Sequence, residues 1–158
     1  MSTTFTKNNT LRETKRTLVR KVALITGATR GIGKAIAEEL HANNYHVVIF
    51  YKNEDRETRE VIKEMYKKLK NISFFKVDVS NAEEVDTAFK QIKKQCGKID
   101  VVVSNAGIID NTKDETLENI TKIKLQKFLD TNFFGGGLRT QKVYPLLEKK
   151  FLREDYFY

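Results

Sequence analysis

The sequence predicts an α/β fold, a doubly wound parallel sheet with helices on both faces. Three observations predict it. Short apolar runs such as VALIT (Val22–Thr26) and HVVIFY (His46–Tyr51) alternate with longer segments of helical periodicity. The runs are continuously apolar, which marks strands buried on both faces. A loop with three glycines joins the first strand to the first helix, where a ligand can approach bare backbone.

The elements follow in order. After Val22–Thr26 a helix is predicted from Gly31 to about Asn43, with Ile32, Ile36 and Leu40 on one face and Asn43-Asn44 as its stop. His46–Tyr51 is the second strand. Residues 57–70 form a helix with Val61, Ile62, Met65 and Leu69 on its apolar side, and SFFKVDV (Ser73–Val79) is the third strand. Ser80 and Glu83 make an S-x-x-E capping box for the next helix. Val85, Ala88, Phe89 and Ile92 give that helix its core side, and Gly97 closes it. IDVVVSNAG (Ile99–Gly107) is the fourth strand with its exit loop. A last helix runs from about Thr121 toward Lys150, with Leu125, Phe128 and Leu129 as its early stripe. Gly135, Gly136 and Gly137 fall inside it, each at a cost of about 1 kcal/mol against alanine.

The chain has 158 residues, 40% hydrophobic and 32% charged, enough for one domain with its own core. No apolar run approaches the roughly 20 residues that cross a bilayer, and no signal-peptide core follows Met1. A single cysteine, Cys96, excludes an internal disulfide framework and points to a reducing compartment, the cytoplasm. His41 and His46 fall at a helix end and a strand start, without metal-ligand spacing. Both read as surface or structural residues, and no metal is expected.

Residues 1–20 form a basic leader. Through Lys21 the segment carries six cations against Glu13 alone, so +5 of the net +8 lies there. It is rich in Ser, Thr and Asn and lacks apolar periodicity, the composition of a disordered leader. The same composition suits a mitochondrial or plastid transit peptide. No aromatic residue interleaves the basic ones, so nucleic-acid binding is not expected. Residues 21–158 then form a single domain.

The loop reads Thr26-Gly27-Ala28-Thr29-Arg30-Gly31-Ile32-Gly33, with spacing G-x-x-x-G-x-G. A helix start offers free N–H groups and the positive end of a dipole, which suits a phosphate. Gly27 allows a sharp turn, Gly31 lets backbone approach a ligand, and Gly33 allows helix and sheet to pack closely.

TGATRGIG resembles the cofactor loop of the short-chain dehydrogenase/reductase family. DVS (Asp78–Ser80) looks like the family's Asp-Val at the end of strand three, and SNAG (Ser104–Gly107) looks like its Asn-Asn-Ala-Gly at the end of strand four. The resemblance runs from Lys21 to about Lys150 and, within the family, is greatest to the 3-oxoacyl-acyl-carrier-protein reductases. It implies a Rossmann-type sheet, here partial, in the order 3-2-1-4. Strand four is then an open edge, which invites aggregation or oligomerisation. The resemblance also implies roles. Gly27, Gly31 and Gly33 cradle the pyrophosphate of a nicotinamide dinucleotide, and Thr29, Arg30 and Ile32 are cofactor-binding residues of the same loop. Asp78 bonds the adenine amino group, with the Val79 backbone beside it. Asn105, Ala106 and Gly107 line the adenosine ribose side. Ser104 replaces the family's first Asn and weakens only a sheet-bracing role. Asn132, in LDTNFFG, matches the helix asparagine that helps hold a water in the proton relay, and is the one catalytic residue expected here.

The cofactor is expected to be NADP. A carboxylate at the end of strand two would grip the ribose hydroxyls of NAD and repel a 2′-phosphate. That position is Tyr51, eighteen residues past Gly33, followed by Lys52. Lys52 and Arg30 are the cations expected to meet the 2′-phosphate. Glu54 and Asp55 lie near enough to keep NAD as the alternative.

The resemblance implies hydride transfer to a small-molecule carbonyl substrate of 3-oxoacyl type, free or carried on acyl-carrier protein, in a homo-oligomer. It also implies a catalytic Ser, a Tyr, and a Lys four residues after the Tyr. The only such Tyr-Lys pair is Tyr66 and Lys70, on the helix between strands two and three, where Tyr66 reads as a surface residue; Tyr144 has Glu148 at that offset. The tail FLREDYFY does not resemble the family's fifth strand. The chain therefore reads as the N-terminal part of a reductase domain, with a cofactor cradle but inactive alone. The alternatives are a non-catalytic dinucleotide-binding fragment, or an interaction protein whose last helix pairs with another chain.

Overall fold

The computed structural model describes residues 20–109 and 120–135. The leader before Arg20, the segment 110–119, Gly136, Gly137 and the tail FLREDYFY lie outside the described residues.

Four parallel strands, β1 (Val22–Thr26), β2 (His46–Tyr51), β3 (Ile72–Lys76) and β4 (Val101–Val103), form one sheet in the order β3-β2-β1-β4. This is the α/β architecture and strand order the sequence predicts. Helices α1 (Gly31–Ala42), α2 (Arg56–Lys68) and α3 (Ala82–Cys96) connect the strands. Helix α4 (Lys122–Leu129) runs on into a π-helical turn, Asp130–Phe134.

The register sets Leu24 beside Val48 and Val102, and Ile25 beside Ile49 and Val103. Successive side chains point to opposite faces of a strand. Leu24, Val48 and Phe50 join Val85, Phe89 and Ile92 of α3 on one face. Ile25, Val47 and Ile49 join Ala37 of α1 and Met65 of α2 on the other. Helices thus cover both faces, which is why β1 and β2 carry no polar alternation. Each fully buried aliphatic side chain contributes roughly 1.5–3 kcal/mol. Phe50 is the largest, edge-on to Phe75 at 6.1 Å and to Phe89 at 5.8 Å between ring centroids.

The structure departs from the sequence reading at four places. β3 ends at Lys76, short of Val79. Val77 N–H still bonds Tyr51 O (2.8 Å), but Asp78 then turns the chain. Its Oδ1 accepts from Ser80 N–H (3.0 Å) and Ser80 Oγ (2.6 Å). Ser80 is therefore not the helix cap. Asn81 caps α3, accepting from the N–H groups of Glu83 and Glu84, because the neighbouring carboxylate holds the Ser80 hydroxyl in a charge-assisted bond. Ile32 leaves the predicted stripe and is 75% exposed, whereas Ile36 and Leu40 pack on the core. No side chain of α4 is buried among the described residues, so Leu125 and Phe128 form an exposed stripe. Gly135, costly on propensity, has a packing reason: a Cβ there would stand 3.0 Å from Val79 O.

Candidate functional site

The sheet order reverses between β1 and β4, and ligands bind at the carboxyl ends of strands at such a point. A cleft of about 460 Å³ opens there. The glycine loop forms one wall through Gly27, Thr29, Arg30, Gly31 and Ile32. The end of β2 contributes Tyr51 and Lys52, the exit of β3 contributes Val77 and Val79, and the exit of β4 contributes Asn105, Ala106 and Gly107. Ten of the thirteen residues assigned from the sequence therefore border one cavity; Gly33, Asp78 and Asn132 do not line it.

α1 starts at the cleft with Arg30 in extended backbone, no side-chain cap and no acidic residue in its first turn. α2, α3 and α4 are capped by Asp55, Asn81 and Thr121. The open N–H groups and positive helix end of α1 are suited to an anion. Gly27 and Gly31 hold left-handed φ values of +68° and +55°. A Cβ on Gly31 would meet nothing within 4 Å, so ligand can reach the backbone there. Gly33 is needed for a different contact: a Cβ would lie 2.5 Å from Asn105 Nδ2 and 2.8 Å from Gly27 O. This bare, uncapped helix start fits a diphosphate.

Two polar side chains tie the β4 exit to the loop. The buried Thr26 hydroxyl accepts from Asn105 N–H (3.1 Å) and Ala106 N–H (2.9 Å). Asn105 Nδ2 donates back to Thr26 O (2.9 Å) and Gly27 O (3.1 Å). Asn132 clamps the next residue along: its Oδ1 accepts from Ile108 N–H (2.7 Å) and its Nδ2 donates to Ile108 O (2.9 Å). Both ends of that amide are thus spent on backbone.

The charged groups are unevenly committed. Lys52 Nζ lies 2.5 Å from Asp78 Oδ2. Partial burial pushes the Asp78 carboxyl upward, but the bonds from Lys52 and Ser80 outweigh it and hold it below the usual carboxylate range. Glu54 pairs with Lys76 at 3.1 Å. Asp55 accepts from Thr58 N–H at 2.7 Å, which, with the nearby Arg30, keeps its carboxyl low. Arg30 is exposed and makes no ion pair among the described residues.

The family described as short chain dehydrogenase matches residues 21–151. The chain belongs to that family. It is 36% identical over 129 residues to the 3-oxoacyl-[acyl-carrier-protein] reductase FabG of Staphylococcus epidermidis, covering 80% of this chain and 51% of that protein. It is 39% identical over 107 residues to the hydroxynaphthalene reductase-like protein Arp2 of Metarhizium guizhouense, covering 67% of this chain and 40% of the other. Among solved structures, ElxO with NADP bound is 33% identical with a TM-score of 0.70, over 80% of this chain and 50% of that one. A mutant short-chain dehydrogenase/reductase of Serratia marcescens shares the fold at a TM-score of 0.72 and 23% identity, over 82% of this chain and 51% of its own. This short-chain dehydrogenase chain spans about half the length of the curated relatives it matches.

The family's Tyr-x-x-x-Lys spacing occurs only at Tyr66–Lys70, and Tyr66 is no candidate for the site. It is 54% exposed on α2, edge-on to Phe74 at 4.9 Å, and does not border the cleft. Among the described residues no helix is long and apolar enough to cross a membrane, and no cluster of His, Cys, Asp or Glu could hold a metal ion. His46 shares a hydrogen bond with Ser73 Oγ at 3.0 Å at the opposite end of β2. Sequence reasoning missed Thr26 and Thr131. Both are buried polar residues in contact with the site. For Thr26 the available signal was a hydroxyl at the end of an apolar run, which must find a partner when buried.

Proposed function

We propose that this chain is the cofactor-binding part of an NADP-dependent short-chain dehydrogenase that reduces a carbonyl of 3-oxoacyl type. The observation that carries the reading is the uncapped start of α1 beside Gly31, where a Cβ would enter open space. Gly27, Thr29, Gly31 and Ile32 would hold the pyrophosphate, with Gly33 keeping the helix close. Asp78 and Val79 would serve the adenine, and Asn105, Ala106 and Gly107 the ribose side. Asn132 would act in the proton relay by fixing the Ile108 backbone. The bound nicotinamide supplies the hydride. FabG supports the 3-oxoacyl class by sequence likeness.

NADP is preferred to NAD on the charges. Arg30 and Lys52 border the cleft, and guanidinium and ammonium groups pair with phosphate oxygens. Of the two acids that would favour NAD, Glu54 pairs with Lys76 and does not line the cleft, while Asp55 borders it near Arg30 but spends Oδ1 on Thr58 N–H. The NADP held by ElxO agrees with this. A reducing compartment, the cytoplasm before an organelle, rests on the single Cys96.

Isothermal titration with NADPH and NADH tests the reading. Tighter binding of NADPH is expected; equal affinities would refute the choice of NADP, and no binding of either would refute the cofactor site. The 158-residue chain given NADPH and an acetoacetyl thioester is expected to bind without turnover, and steady NADPH oxidation would refute that. A second reading has its own observation. The stripe of α4, with Ile123 at 81% exposure, and the edge position of β4 among the described strands favour association with a second copy. Sedimentation velocity is expected to show self-association, and a concentration-independent monomer would contradict it.

A further inference from the structure

The Lys52–Asp78 pair carries an inference that rests on the NADP reading above and deepens it. Lys52 borders the cleft at the end of β2 and has a side chain 45% exposed; Asp78, between the cleft-lining Val77 and Val79, has one 24% exposed. The carboxylate is the anchored member. Its Oδ1 accepts from Ser80 N–H (3.0 Å) and Ser80 Oγ (2.6 Å), and Asp78 N–H donates to Glu84 Oε2 (2.8 Å). Lys52 is the mobile member, a point charge on a flexible stem. A 2′-phosphate arriving at the end of β2 must draw this ammonium from Asp78 or share it. Arg30 borders the same cleft; it acts on the Asp55 carboxylate but makes no ion pair with it among the described residues, and Asp55 Oδ1 is bonded to Thr58 N–H.

We infer that Asp78 is a specificity-setting positioning residue: by holding Lys52 it limits what that lysine contributes to recognising the 2′-phosphate, and leaves most of the discrimination to Arg30. Removing the charge of Asp78 converts Lys52 from a shared partner into a free one. The gain is bounded by the worth of a partly exposed ion pair, about three- to fivefold in affinity.

The test measures dissociation constants of adenosine 2′,5′-bisphosphate and AMP, taken as a ratio. Both carry the same adenine, so any loss of adenine contact cancels. Asp78→Asn is expected to raise the preference for the 2′-phosphorylated nucleotide about three- to fivefold. Lys52→Met is expected to lower it by no more than about twofold, and Lys52→Met with Asp78→Asn is expected to match Lys52→Met alone. Arg30→Met, by contrast, is expected to lower it about tenfold. An unchanged or reduced preference in Asp78→Asn, or a gain that survives loss of Lys52, would overturn the inference while leaving the cofactor site standing. Equal losses in Lys52→Met and Arg30→Met would also overturn it, and that comparison needs no folded Asp78 variant. Failure of the unaltered chain to bind either nucleotide would overturn the cofactor reading and this inference together.

Discussion

Replacing Gly33 with alanine puts a methyl carbon 2.5 Å from Asn105 Nδ2, 2.8 Å from Gly27 O and 2.9 Å from Ala28 Cα. Two of these are backbone atoms of the loop, and the third is an amide nitrogen already bonded to Thr26 O and Gly27 O. Displacing that amide forfeits two hydrogen bonds at about 1 kcal/mol each. Forcing α1 away from the loop adds about 1–3 kcal/mol of overpacking. Alanine's better helix propensity returns about 1 kcal/mol. The net loss is about 2–4 kcal/mol, a fall in Tm of roughly 4–16 °C for a chain of this size. Thermal melts followed by circular dichroism measure it. Gly31→Ala is the control. Its Cβ meets nothing within 4 Å, so only its left-handed backbone resists, at about 1–2 kcal/mol, while the methyl group enters the path proposed for the nucleotide. Gly33→Ala is thus expected to lose more stability, and Gly31→Ala to lose NADPH binding at a smaller cost in Tm. A Gly33→Ala protein that melts with the unaltered chain, or a Gly31→Ala protein that melts lower, would refute the reasoning.

Asn132→Ala removes both bonds to the Ile108 backbone and is expected to cost about 2 kcal/mol, read as a lower urea midpoint; an unmoved midpoint would show that the clamp is idle. His46 is held below its ordinary value of 6.5, first by burial and then by Arg20. The unfolded chain therefore binds the proton more readily, so this contribution is complete above about pH 6.5 and is lost as pH falls through the folded-state value. Melts across about pH 7 to pH 5 are expected to be flatter in His46→Gln than in the unaltered chain, and equal slopes would contradict the assignment.

The legible parts of this protein are those decided by neighbours in the chain. β1 and β2 are apolar from end to end, and the structure keeps their predicted bounds. The glycine loop announces a turn and an open helix start through residues that lie side by side. The opaque parts are competitions between groups far apart in sequence. Ser80 has the spacing of a cap, but Asp78, which also pairs with Lys52 from the end of β2, takes its hydroxyl. Ile32 has the period of a core residue, but the first turn of α1 borders a cleft. Gly135 looks wasteful until Val79 is found against it.

By itself the sequence determined the parallel α/β sheet, the glycine-loop motif and the family, because strand burial and turn chemistry are local properties. Only the tertiary structure decided that Gly33 makes room for Asn105, that Thr26 receives the β4 exit, and that Lys52 is held by Asp78. Each of those is a contact made across the sheet, and a polar group finds its partner only when folding has removed the water that would otherwise serve it.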